Sequence, residues 1–163
     1  MIKCVLVVNQ QGKPRLTRFY VETPLDQQKA LLKRVHAIVS RRSDEHCCCF
    51  ADDDEDPSVR IVYRHFATLY FIFIVDGAES ELGVLDLLQV FVQTLDMAFE
   101  NVCELDLIYH FDRVNYILDE LVMAGMVLET NLESILVAVQ ESRKLETEEN
   151  TVFGFEIPAA LRA

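Results

Sequence analysis

Glycine and proline are scarce in this chain, at five and four residues, and half of the sequence is apolar. That balance excludes a disordered or low-complexity protein and fits one globular domain with a real core. Long uncharged runs are also missing: Phe66 to Val75, the longest near the middle, falls well short of the ~20 apolar residues a membrane span needs. The opening MIKCVLVVNQ has no small-residue cleavage site before its polar residues, so it reads as a first strand and not as a signal peptide. Basic residues are sparse over most of the chain. Residues 1–42 hold nine Lys/Arg and two acids, whereas 43–163 hold six Lys/Arg and twenty-five acids. A net charge of −12 argues against general nucleic-acid binding, while the asymmetry suggests one basic face for an acidic ligand or an anionic surface.

No complete catalytic or metal-binding set is present. The five cysteines are odd in number, three are adjacent, and no secretory signal accompanies them. They read as free thiols of a cytosolic protein, not as a disulfide framework. Cys103 beside Glu104, with His110 nearby, is the best nucleophile candidate, but a buried core thiol is the weightier reading. His46 with Cys47, Cys48 and Cys49 lacks C-x-x-C spacing, and adjacent residues of an extended segment point to alternating sides, against a tetrahedral zinc site. Gly12-Lys13 lacks the earlier glycine of a phosphate loop. Asp52 to Asp56 lacks the alternation and closing glutamate of a calcium loop. Neither enzyme activity nor a cofactor nor a metal is expected.

The pattern predicts strands at Ile2–Val8 and Arg15–Val21, joined by a polar turn containing Gly12. Thr23-Pro24 opens a helix whose stripe is Leu31, Val35 and Ile38. His46–Phe50 suggests a short strand inside 43–58, otherwise a flexible acidic loop because five consecutive acids repel one another. Strands follow at Val59–Tyr63 and Thr68–Val75. Ser80 caps a long helix to about Asn101. Leu105–Phe111 reads as a linker, Asp112 opens a helix stopped at Gly125, and Thr130 with Glu133 forms a capping box for the last helix. Residues 1–142 thus form the domain and 143–163 a polar, flexible tail. An antiparallel sheet with helices on both faces satisfies this order.

Two features point to binding. The helix after Ser80 is apolar around more than the usual arc, so one sheet cannot cover it; another helix of the chain or a partner must. The segment YRHFATLYF (63–71) places a basic pair, Arg64 and His65, beside a small residue and an apolar strand. Arg15 and Arg18 form the other basic point, although solvated strand charges are the plainer reading of all four.

These residues resemble the small, sigma subunit of clathrin-type adaptor protein complexes over Met1 to Glu141. The likeness is densest in VNQQGKPRLTRFY (8–20), YRHFATLYFIFIVDGAESELGVLDLLQVFVQTLD (63–96) and ENVCELDLIYHFDRVNYILDELVMAGMVLETN (100–131). SELGVLDLLQVFV and GMVLETN resemble the sigma chain of the third adaptor complex, although Phe66 stands where a tyrosine is usual there.

The resemblance implies an α+β, longin-like fold with a five-stranded antiparallel sheet. It implies a heterotetramer with a delta-type large subunit, whose trunk would cover the surplus apolar surface, and with beta and mu chains. It implies cytoplasmic, peripheral association with Golgi- and endosome-derived vesicles through the complex, and sorting of cargo toward lysosome-related organelles. It further implies binding of acidic dileucine signals: an acid, three intervening residues, then Leu-Leu or Leu-Ile. Ala67, Leu69, Val92, Asn101, Val102 and Leu107 would line the leucine slot, and Arg15 would meet the acid with help from a basic residue of the large subunit. Two rivals stand beside this reading: a stand-alone longin domain of a tethering or fusion apparatus, and an enzyme using Cys103.

Overall fold

The computed structural model describes residues 1–41, 48–53 and 55–152, the side chains of 48–49 and 146–152 excepted. Five antiparallel strands form the central sheet: β1 (Ile2–Asn9), β2 (Pro14–Phe19), β3 (Cys48–Asp52), β4 (Val59–Phe66) and β5 (Leu69–Asp76). Their spatial order is β2-β1-β5-β4-β3. The central strand pairs β1 on one side, Val7 opposite Phe71, and β4 on the other, Tyr63 opposite Ile72. Pro14 is tolerated because β2 is an edge strand and needs no second ladder.

Alternation along the strands divides the core in two. Cys4, Leu6, Val8, Ile61, Tyr63, Ile72 and Ile74 pack toward helix α1 (Leu25–Ser40), which buries Val35 and Val39. Val5, Val7, Phe71, Phe73 and Val75 pack toward helix α2 (Glu81–Phe99). Behind α2 lie α4 (Phe111–Leu121) and α5 (Leu132–Val152), which bury Val114, Ile117, Leu118, Leu121, Ile135 and Val139 in the same core. The wide apolar arc of α2 is therefore covered largely by the chain's own helices; of its large apolar residues, only Leu82 and Met97 are exposed. By length and apolarity α2 could cross a membrane, yet it is the inner helix of this core.

Several local expectations are corrected. Ser80 does cap α2, its Oγ accepting from Gly83 N at 3.3 Å. At α1, however, Pro24 takes the cap position with extended backbone. Thr23 then lies one residue too early to reach the helix, and its hydroxyl donates to Val21 O instead. Asn131, not Thr130, caps α5, accepting from Glu133 N at 2.9 Å and Ser134 N at 3.3 Å. The supposed linker contains a short helix, α3 (Glu104–Tyr109), too brief for its periodicity to show.

Gly125 does not stop α4, which ends at Leu121. It turns a small hairpin, β6 (Val122–Met123) and β7 (Met126–Val127), with φ +79°. Its carbonyl accepts from Ile2 N at 2.8 Å, and a Cβ there would come within 2.4 Å of Ile2 O. α5 continues through 143–152, residues assigned from sequence to the tail; 153–163 lie outside the described residues.

The acidic run is not uniformly solvated. Asp53 is 3% exposed and accepts from Arg34 of α1 through Nη2 at 2.7 Å and Nε at 3.2 Å. Glu55 also pairs with Arg34, and Asp52 with Arg60 of β4. Like charges are tolerated because the adjacent Asp52 and Asp53 reach different arginines, while Glu55 shares Arg34 with Asp53. His46 and Cys47, and the side chains of Cys48 and Cys49, lie outside the description.

Candidate functional site

The turn between β4 and β5 has only two residues, Ala67 and Thr68, because Phe66 pairs with Leu69. Ala67 adopts a left-handed backbone, φ +51°, at a cost of about 1 kcal/mol for a residue with a Cβ. Opposite this turn, α2 ends in two further left-handed residues, Glu100 and Asn101, with φ of +53° and +82°. The carboxylate of Asp96 steadies the reversal by accepting from Val102 N at 3.2 Å. The chain is thereby turned so that Val102, Cys103 and Glu104 face the β4–β5 turn.

Between the two turns lies a cavity of about 470 Å³, within the ~300–1,000 Å³ of ligand clefts. Its apolar wall includes Phe66, Ala67, Leu69, Phe71, Val92 and Val102. Edge-to-face contacts of Phe71 with Phe66 (6.1 Å) and Phe91 (6.0 Å) stiffen the back wall. Gln89, Gln93, Asp96 and Glu104 supply the polar part of the lining. Four of the residues implied by the resemblance, Ala67, Leu69, Val92 and Val102, meet in this one cavity.

Two others do not line it. Asn101 is exposed and its visible part is conformational, since asparagine tolerates the left-handed region better than most residues. Leu107 is buried in the main core, in the same apolar cluster as Leu69, Phe71 and Val92.

Arg15, on β2, stands behind Glu104. Its Nε donates to Glu104 Oε1 at 2.7 Å, and Asn9 Nδ2 donates to the same oxygen at 3.1 Å. The Arg15 hydrogen bond, assisted by Asn9, holds the Glu104 carboxyl below the usual range for its type. Asn9 also organises the β1–β2 turn, its Oδ1 accepting from Gln11 N and Lys13 N. One buried amide thus ties the hairpin carrying Arg15 to the first residue of α3.

The remaining basic candidates separate. Arg18 pairs with Asp119 of α4 at 2.5 Å, a tie between elements. Arg64 and His65 face opposite sides of the sheet, as neighbours on a strand must. Arg64 donates to Gln89 Oε1 and lies 4.7 Å over the Phe66 ring, both residues of the cavity lining. His65 stacks on Tyr70 at 4.4 Å, and its Nε2 is buried without a hydrogen-bond partner among the described residues.

Cys103 is exposed, contrary to the core-thiol expectation. It precedes α3, and its side chain accepts from the Asp106 backbone while Cys103 N donates to Asp106 Oδ2 at 2.8 Å. His110, the supposed base, stacks instead on Phe99 at 5.9 Å and makes no hydrogen bond with Cys103. Sequence reading passed over Gln89, Gln93 and Asp96 as lining, although with Val92 they follow helical spacing along one face. Glu104 carried no comparable signal, because its partner Arg15 is 89 residues away.

A second cavity, about 400 Å³, lies on the other face of the sheet beside α1. Cys4, Phe19, Leu31 and Ile74 contribute to its apolar part, and Arg34, Asp53 and Glu55 to its charged part.

Comparison with known proteins supplies the lineage. AP-3 complex subunit sigma-2 of Homo sapiens is 50% identical over 152 residues, covering 91% of this chain and 78% of the relative. AP-3 complex subunit sigma of Dictyostelium discoideum is 47% identical over 154 residues, covering 92% and 90%. A chain in a homology model of the full-length AP-3 complex in a stretched open conformation superposes with a TM-score of 0.72 at 38% identity, covering 93% of this chain and 98% of that one. The family model of the clathrin adaptor complex small chain matches residues 1–146, and the chain belongs to that family.

Proposed function

We propose that this chain is the sigma subunit of an AP-3-type adaptor heterotetramer, and that its cavity between the β4–β5 turn and α2 receives the leucine pair of acidic dileucine signals. The observation that carries the reading is the convergence of Ala67, Leu69, Val92 and Val102 on one apolar-walled cavity, with Arg15 just behind its Glu104 side. The names and extents of the AP-3 relatives support the complex type. A delta-type large subunit with beta and mu chains completes the assembly. The work of that assembly is to collect membrane cargo at endosomes or the Golgi for lysosome-related organelles. The chain reaches those membranes, from the cytoplasmic side, through its complex.

Two kinds of contact are needed, and magnitudes separate their roles. Two buried leucines contribute about 3–6 kcal/mol before ordering costs. A micromolar complex needs about 8 kcal/mol, so leucines alone fall short. The upstream acid adds a charge-assisted contact, and its fixed spacing from the leucines sets register. Ala67 leaves the entrance open because its side chain ends at Cβ.

The experiment is a pull-down of the full chain, identifying the large subunit by mass spectrometry, followed by peptide binding to the resulting heterodimer. Recovery of a delta-type subunit and leucine-dependent binding are expected. Recovery of an alpha, gamma or epsilon subunit would change the complex, and binding indifferent to the leucines would overturn the slot.

A further inference from the structure

Glu104, not Arg15, lines the cavity. The carboxylate therefore stands between the guanidinium and any ligand in the slot. Arg15 is mostly buried, with 21% of its side chain exposed against 28% for Glu104, and the pair closes at 2.7 Å. Asn9 holds the same carboxylate oxygen, so Glu104 is positioned from two sides. Asp96 adds a second carboxylate to the lining. A cavity meant to meet an acidic ligand thus presents acids of its own, and one of them already engages Arg15.

We infer that Glu104 is an internal competitor for Arg15, a specificity determinant that occupies the place of the ligand's acid and is displaced when an acidic dileucine signal binds. This rests on the proposed function of the slot. The physical consequence is an exchange of one carboxylate for another on Arg15. Leucine burial still drives binding, whereas the gain from the ligand's acid is reduced by the lost Glu104 pair and by repulsion between the two acids. Ligands without the acid leave Glu104 in place and feel neither effect. Glu104 therefore lowers affinity for acidic signals selectively, which suits a sorting subunit that must release its cargo.

The test uses the heterodimer of the full chain with a delta-type trunk. Three labelled peptides are titrated: Glu-x-x-x-Leu-Leu, its Gln-x-x-x-Leu-Leu counterpart, and Glu-x-x-x-Ala-Ala. Glu104→Gln keeps the shape and the ability to accept from Asn9 while removing the charge. It should tighten the first peptide about threefold to tenfold, between an exposed and a half-buried charge pair, and leave the second unchanged. Glu104→Ala, with thermal unfolding of each heterodimer as a check, should move the first peptide in the same direction. Equal or weaker binding of the first peptide by both folded variants, with the leucines still required, overturns the competitor role and leaves the slot standing. Equal binding of the first and third peptides by the parent overturns the slot itself, and the competitor with it.

Discussion

The two faces of the sheet carry cavities of similar volume, about 400 Å³ beside α1 and about 470 Å³ beside α2, yet their charges are arranged differently. Beside α1, Arg34 is held by two acids of the chain, one of them the buried Asp53. Beside α2, Arg15 meets one carboxylate through its Nε, and Arg64 meets a neutral amide and an aromatic face. The first arrangement locks an edge strand and a helix together. The second sets Arg15 behind a single lining carboxylate, Glu104, and Arg64 against neutral groups, beside an apolar cavity, the setting that the proposed exchange of carboxylates on Arg15 would use. Volume alone does not distinguish the two cavities; the pairing of their arginines does.

The largest effect that sharpens this contrast belongs to the locked side. Asp53→Ala removes both hydrogen bonds between Arg34 and its buried partner, leaving Glu55 as the remaining carboxylate, and should cost about 2–3 kcal/mol of stability, read by urea unfolding of the chain. Peptide affinity of the folded fraction should not change. Next comes Arg15→Ser, which should weaken acidic dileucine peptides roughly tenfold, about 1.4 kcal/mol, and leave glutamine-bearing ones nearly unaffected in a fluorescence titration. A uniform loss for both peptides would mean that Arg15 supports the fold and does not read the acid.

The cysteines offer a gentler probe, since one lies in each cavity. Burial pushes the Cys4 thiol up to about 12, so at pH 8 only about one molecule in ten thousand carries the reactive thiolate. Iodoacetamide should label exposed Cys103 in the native heterodimer and Cys4 only after denaturation, resolved by peptide mapping. A dileucine peptide should slow labelling of Cys103 alone. Protection of neither would detach Cys103 from the bound ligand.

The smallest effect is electrostatic. Arg15 lowers the folded-state pKa of Glu104, so the pair stabilises the fold above the unfolded carboxyl value, about 4.3. That stabilisation is lost as pH falls through the lower folded value. The advantage of the parent over Glu104→Gln in urea midpoint should therefore shrink between pH 7 and pH 3. An advantage that grows on acidification would reverse the assigned sign.

Much of the fold was legible because it rests on local pattern. The two-sided apolar run Ile2–Val8, the capping Ser80 and the stripe of α4 all behave as their spacing requires. Legibility ended where distant partners decide. Asp53 reads as one acid in a repelling run until Arg34 of α1 is brought against it. Gly125 reads as a helix stop until the close approach of Ile2 explains it. The site divides along the same line. Arg15 and four of the cavity's apolar residues, Ala67, Leu69, Val92 and Val102, came through resemblance, whereas the role of Glu104 depends on the contact between β2 and α3.

The leucine slot is tested most directly at Ala67, because Val92, only 7% exposed and packed in the core, cannot be changed without disturbing the fold. Ala67 is exposed at the turn, where a larger side chain can fill the entrance while the core stays intact. The measurement is the affinity of a Glu-x-x-x-Leu-Leu peptide for the heterodimer with Ala67→Trp, beside a check that the two subunits still co-elute. Loss of binding by at least about 30-fold, roughly 2 kcal/mol, from an intact heterodimer is the expected result. Unchanged affinity in that heterodimer would contradict the slot.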